Sequence, residues 1–192
     1  MNRYTWLGLC KELCNVPENI LLLLQEDFKS FTKNNGPYMT SDGYMQWHVH
    51  SKQNHMIDLD HKRPWALKKD ATWNQLDSIN SKPILNYFST YVAGISRLCY
   101  SVMSPYAIVE KHPGHQLPRI QIPLNDVDID FGFVNDTGEH VYKFEYGKAY
   151  VVNVCYEHFV VSKSNKVRHA CYFCFEDFIT SDMRSLYSIN GV

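Results

Sequence analysis

The feature that most constrains this chain is a change of hydrophobic period after Arg97. Downstream, apolar and polar residues alternate in short runs at 98–103, 107–111, 119–124, 130–134, 140–145, 149–154, 158–162 and 166–175. A period of two puts successive side chains on opposite faces of an extended chain, so each run reads as a half-buried strand. Turn signals separate the runs: Ser104-Pro105, His112-Pro113-Gly114, Asn135-Asp136-Thr137-Gly138, Tyr146-Gly147-Lys148 and residues 162–165. About eight short strands at this spacing predict an antiparallel sandwich or jelly roll.

Upstream the period is helical. From residue 15 to 31, Pro17 stands in a first turn and Ile20, Leu21, Leu24, Phe28 and Phe31 recur at three- and four-residue steps, an amphipathic helix that ends before Asn34-Asn35-Gly36-Pro37. A second helix is predicted with Ser81 as N-cap, Pro83 in the first turn, and Ile84, Leu85, Phe88, Val92 and Ile95 on one face. Between them, 38–77 is polar, with a short alternating piece at 45–50. The fold expectation is mainly β with N-terminal helices: residues 1–96 form a helical and mixed segment packed on a barrel of residues 97–192, the two making one unit.

At 192 residues, roughly 70% of the unfolded surface can be buried without disulfides. The 19 Lys and Arg against 20 Asp and Glu argue against a nucleic-acid binder that works by counterion release. Runs such as Ile20 to Leu24 fall far short of the roughly 20 apolar residues that span a bilayer, and Lys11 and Glu12 interrupt any signal-like stretch. Cys10, Cys14, Cys99, Cys155, Cys171 and Cys174 are too few for a disulfide scaffold, so reduced, buried thiols in a cytoplasmic protein are expected.

Three residues of the strand half stand out. His112 closes a strand in His-Pro-Gly-His, His158 opens one after a turn, and Arg168 follows ten residues later, a separation that suits adjacent antiparallel strands joined by a hairpin. Two imidazoles from distant strands can hold Fe(II), and a guanidinium across the barrel can bind a dicarboxylate through two parallel hydrogen bonds. Other clusters read as structural. His48, His50, His55 and His61 lack cysteine or carboxylate partners at zinc-site spacing and fit a solvated loop or sheet face. Cys171 and Cys174 fall on opposite faces of a strand. Asp126, Asp128 and Asp130 alternate without a glycine-centred loop or closing glutamate, and fit a solvated strand edge.

Taken in order, Tyr100-Ser101-Val102-Met103-Ser104-Pro105, His112-Pro113-Gly114, Arg119-Ile120-Gln121-Ile122-Pro123-Leu124, Glu145-Tyr146-Gly147-Lys148-Ala149, Glu157-His158 and Arg168 resemble the aspartyl/asparaginyl β-hydroxylase domain. The resemblance covers about residues 98–177; the N-terminal half has no comparable match. Members of that family are Fe(II)- and 2-oxoglutarate-dependent oxygenases on a double-stranded β-helix, the jelly roll shared with cupins. The resemblance implies that His112 and His158 bind iron and that Arg168 pairs with the distal carboxylate of 2-oxoglutarate. Ser101 and Met103 match positions that approach the cosubstrate, and Arg119 matches a second basic group reaching its carboxylate. Gln121 departs from the pattern, which usually has a histidine that assists cosubstrate binding.

Most iron oxygenases of this superfamily carry a carboxylate two residues after the first histidine. Here that position is Gly114, as in the aspartyl hydroxylase subgroup, where water fills the vacant place. The implied activity is O2-dependent hydroxylation of an unactivated C–H of an amino acid, peptide or small metabolite. Two alternatives stand beside it: an iron halogenase using the open position at Gly114, and a non-catalytic cupin-like binding protein. Tyr38, Trp47, Trp65 and Trp73 would wall a substrate pocket or pack in a core. Neither a nucleic acid nor a membrane is expected as partner.

Overall fold

A computed structural model describes residues 3–37, 39–41, 43–51, 80–95, 97–115 and 117–189. In chain order the elements are β1 (Cys10–Asn15), α1 (Glu18–Asn34), β2 (Met39–Ser41), β3 (Tyr44–Ser51), α2 (Ser81–Phe88), β4 (Val92–Ala93), β5 (Arg97–Met103), β6 (Ile108–His112), β7 (Arg119–Pro123), β8 (Ile129–Asn135), β9 (Gly138–Tyr142), β10 (Lys148–Val152), β11 (Glu157–Ser162), β12 (Arg168–Cys174), β13 (Asp177–Phe178) and α3 (Ser181–Tyr187). Each alternating run of the sequence has become one of the strands β5 to β12.

These strands form two antiparallel sheets, one of seven in the order β1-β10-β7-β12-β5-β3-β2 and one of four in the order β6-β11-β8-β9. From β5 onward the chain passes back and forth between the sheets, interrupted by the β8–β9 hairpin. That winding is a double-stranded β-helix. The inner core joins both sheets: Met103, Tyr150 and Val152 from the larger meet Phe131, Phe133 and Val160 from the smaller.

Register decides which residues look inward, because directly opposed residues share a face. Arg168 faces Met103, Ala170 faces Ser101, Tyr172 faces Cys99 and Cys174 faces Arg97 across β12–β5. On the other flank of β12, Tyr172 faces Gln121 and Cys174 faces Arg119. The intervening residues point to the helices. Phe173 packs on Phe88 of α2 with ring centroids 4.5 Å apart, and Tyr100 meets Phe28 of α1 edge-on at 5.6 Å. The Tyr100 hydroxyl also donates to the buried Asp27 carboxylate at 2.7 Å.

The N-terminal half is less purely helical than its period suggests. β1 extends the large sheet beside β10, and β3 extends it beside β5. α2 begins at Ser81 with Asn80 in the cap position, and it stops at Phe88. The Ser89 and Thr90 hydroxyls bond back to the carbonyls of Leu85 and Tyr87, and Val92 leaves the expected helical face to pair with Phe178. A β-branched residue with a strand partner is better placed there than in another helical turn.

The acidic trio is also corrected. Asp126 and Asp128 precede β8, and Asp130 lies in β8 between β9 and β11, so no strand edge is involved. Lys143 bridges Asp128 and Asp130. Trp47 is buried and donates its indole N–H to the Asn35 carbonyl at 2.8 Å, a core role. Tyr38, His55, His61, Trp65 and Trp73 lie outside the described residues; His48 and His50 belong to β3, where a bulge separates them. All six cysteines are free thiols, with Cys99, Cys171 and Cys174 buried and Cys10, Cys14 and Cys155 half-buried. Burial pushes the Cys10 and Cys99 thiols up to about 12. Among the described residues no helix is long and apolar enough to cross a membrane.

Candidate metal and cosubstrate site

β6 ends at His112 because Pro113 has no N–H to continue the ladder. There His112 stands directly opposite His158 of β11, and the two ring centroids are 4.2 Å apart. The chain then turns back through Pro113-Gly114 and is tied down where the His115 N–H donates to the Val154 carbonyl at 2.7 Å. Gly114 makes this return feasible: a Cβ on it would lie 1.9 Å from the Cys155 carbonyl oxygen. The His115 ring consequently sits 5.1 Å from that of His158 and 5.7 Å from that of His112. One ligand nitrogen from each of the three lies within 4.8 Å of the others.

The tautomers suit a metal. His112 Nδ1 is 2.8 Å from the Glu110 carbonyl and His158 Nδ1 is 2.9 Å from the Tyr156 carbonyl. A carbonyl oxygen accepts only from a protonated nitrogen, so Nδ1 carries a proton, and the neutral ring then keeps its lone pair on Nε2. Burial, with Arg119 and the two other imidazoles adding to it, holds His115 well below the usual imidazole range, which favours its neutral, ligating form.

Arg168 lies deep on the inner face at the start of β12. It is 3% exposed, and its Nε and Nη2 have no hydrogen-bond partner among the described residues. Desolvation lowers its pKa. A buried guanidinium with unanswered donors is strongly unfavourable unless an anion meets it, and the fork geometry suits a carboxylate. Met103 is its direct neighbour, and Ser101, one pair further along, is buried and inward-facing.

Arg119 stands at the other end of the same face. It is opposite Cys174, six residues from Arg168 along β12, which is about 20 Å of strand. Its guanidinium lies 4.4 Å over the Tyr172 ring, its Nε has no partner among the described residues, and its charge acts on His115. Gln121, opposite Tyr172, lies between the two arginines. The implied cosubstrate residues therefore separate along the barrel, with Arg168, Met103 and Ser101 at one end, Gln121 between, and Arg119 beside the imidazoles.

Two expectations need revision. His158 and Arg168 are not on a hairpin: β11 belongs to the smaller sheet and β12 to the larger, so the segment between them crosses the barrel. The histidine set also gains a member. His115 was visible only as the last residue of His-Pro-Gly-His; nothing in its spacing distinguishes it until the Gly114 turn folds it back.

No family model matches the chain, and no curated protein matches it by sequence. Solved structures do. An oxidoreductase of the 2OG-Fe(II) oxygenase family from Burkholderia pseudomallei is similar with a TM-score of 0.58 and 12% identity, over 87% of this chain and 84% of that one. The non-heme alpha ketoglutarate dependent epimerase SnoN from nogalamycin biosynthesis is similar with a TM-score of 0.60 and 10% identity, over 91% and 80%. At this identity the likeness is one of fold, and it agrees with the double-stranded β-helix traced by the strand order.

Proposed function

We propose that the protein is an Fe(II)- and 2-oxoglutarate-dependent oxygenase that hydroxylates an unactivated C–H of an amino acid, peptide or small metabolite. The observation that carries this reading is the buried Arg168 guanidinium, whose Nε and Nη2 have no partner among the described residues, in the barrel whose other end brings three imidazoles together. A structural cupin has no use for a cosubstrate anchor of this kind.

His112 and His158 would hold iron through Nε2, each ring fixed by the carbonyl on its Nδ1, with His115 as third donor. When bound, iron, the keto acid and O2 supply the oxidising power that side chains lack. The chain's own residues then position and shelter. Arg168 fixes the distal carboxylate and the Ser101 hydroxyl supports it. Arg119 faces the keto-acid end near the metal, with the Gln121 amide in place of the family's histidine. Met103, Phe131, Phe133 and Val160 keep water from the barrel. The halogenase alternative depends on an open place at Gly114, and a third imidazole so close to the other two favours hydroxylation over it. The six free thiols suit a reducing, cytoplasmic setting.

The test is a screen of amino acids, peptides and metabolites against Fe(II)-loaded protein under isotopically labelled O2, reading succinate and product mass. Substrate-dependent succinate with one labelled oxygen in the product is expected. Succinate coupled to an epimerised or chlorinated product would replace hydroxylation by that outcome.

A further inference from the structure

We propose that Tyr44, from the N-terminal half that carries no family motif, is a cosubstrate-binding residue whose hydroxyl donates to the carboxylate held by Arg168 and whose ring limits the length of the keto acid. The inference rests on the cosubstrate reading above and deepens it.

Tyr44 faces Met103 across β3–β5, and Met103 faces Arg168 across β5–β12. The three form one row on the inner face. Strands lie about 4.8 Å apart, so the Tyr44 and Arg168 backbones are about 10 Å apart, a span that two long side chains with a carboxylate between them can bridge. The phenol is electrostatically coupled to the guanidinium and to Tyr172. Its position is fixed from the preceding turn: Gly43 has φ +73°, a Cβ there would come 2.6 Å from that of Ala107, and the Ser104 N–H donates to the Gly43 carbonyl at 2.7 Å.

Hydrogen-bond bookkeeping gives the hydroxyl its direction. The Gln46 amide donates to the Tyr44 oxygen at 2.6 Å, which uses an acceptor site and leaves the phenolic proton to donate. Among the described residues it has no acceptor. Arg168 presents donors only, and its Nε and Nη2 too are unanswered among the described residues. A carboxylate placed between the two offers about four lone-pair sites, enough for the guanidinium fork, the phenol and Ser101 together. A neutral ligand would leave the guanidinium charge buried, so the ligand that meets this set is an anion.

The test uses the metal-loaded protein without O2 and follows keto-acid binding by calorimetry. Three acids are compared: 2-oxoglutarate, 2-oxobutyrate (which lacks the distal carboxylate) and 2-oxoadipate (one methylene longer). Tyr44→Phe keeps the ring and removes the donor. It should weaken 2-oxoglutarate about tenfold or more while leaving metal affinity, melting temperature and 2-oxobutyrate binding at parental values. Tyr44→Leu should shift the preference towards 2-oxoadipate. Equal 2-oxoglutarate affinity in Tyr44→Phe and parent would overturn the inference, as would equal weakening of 2-oxoglutarate and 2-oxobutyrate, which marks a general packing role. A parent that binds metal but no keto acid would overturn the cosubstrate reading itself, and this inference with it.

Discussion

His158 lies directly across the β6–β11 ladder from His112, and each ring rests its Nδ1 on the main-chain carbonyl two residues before it. The repeated local device gives both rings the same tautomer. It predicts one metal per chain, with His112→Ala or His158→Ala abolishing binding in a metal titration. His115→Ala separates a three-imidazole centre from a two-imidazole one. Loss of a true ligand should weaken metal at least about a hundredfold, beyond the effect of removing an outer partner, whereas parental affinity would reduce the centre to two imidazoles.

Arg168 predicts a conflict between stability and function. With Nε and Nη2 unanswered among the described residues, its charge is buried without a described compensating partner. Arg168→Met should therefore make the apo protein more stable, by about 1–4 kcal/mol in urea unfolding, while removing keto-acid binding. A destabilised Arg168→Met would show that the guanidinium already has a compensating partner.

Gly114 holds its place for steric reasons that precede any metal chemistry. Gly114→Ala puts a methyl group into the Cys155 carbonyl, so the turn must move and His115 with it. Destabilisation of about 3 kcal/mol, at the upper end for overpacking, is expected, together with weakened metal binding. Gly114→Asp should behave in the same way instead of supplying a new carboxylate ligand. A Gly114→Ala variant with parental melting temperature and metal affinity would refute this.

His169 predicts an acid-sensitive step outside the site. It points to the helix side of β12, with its ring 4.6 Å from that of Phe28, and desolvation followed by the Lys29 charge lowers its pKa below the usual 6.5. The folded state thus disfavours the proton. Above pH 6.5 neither state is protonated and stability is complete; as pH falls through 6.5 the unfolded chain gains the proton first, and stability declines until the folded pKa is reached. His169→Phe should flatten the melting temperature below pH 6.5 relative to the parent, and an unchanged slope would assign the acid sensitivity elsewhere.

The strand half was readable because a period of two is a local signal, and each run from β5 to β12 keeps it. What alternation cannot encode is which strands become neighbours. The ten-residue step from His158 to Arg168 suits a hairpin as well as a crossing between sheets, and only the packing of both sheets around Phe131, Phe133 and Val160 decides for the crossing. His115 and Tyr44 were hidden for the same reason. One enters the site through a glycine turn pressed on a distant carbonyl, the other through a β3–β5 register that the sequence does not announce. Val92 misled because its apolar spacing continues that of α2 while its partner, Phe178, lies far along the chain.

The most direct test of the account is an anaerobic titration of 2-oxoglutarate into Fe(II)-loaded protein, followed by the weak visible charge-transfer band of a metal-chelated keto acid. The parent should develop the band at one equivalent of iron. Arg168→Ala should require about a hundredfold more keto acid for the same band, with iron binding retained and Arg168→Lys recovering only part of the loss because it lacks the fork. A parent that binds iron but gives no band at any keto-acid concentration, or an Arg168→Ala variant that titrates like the parent, would contradict the assignment of this barrel as a 2-oxoglutarate site.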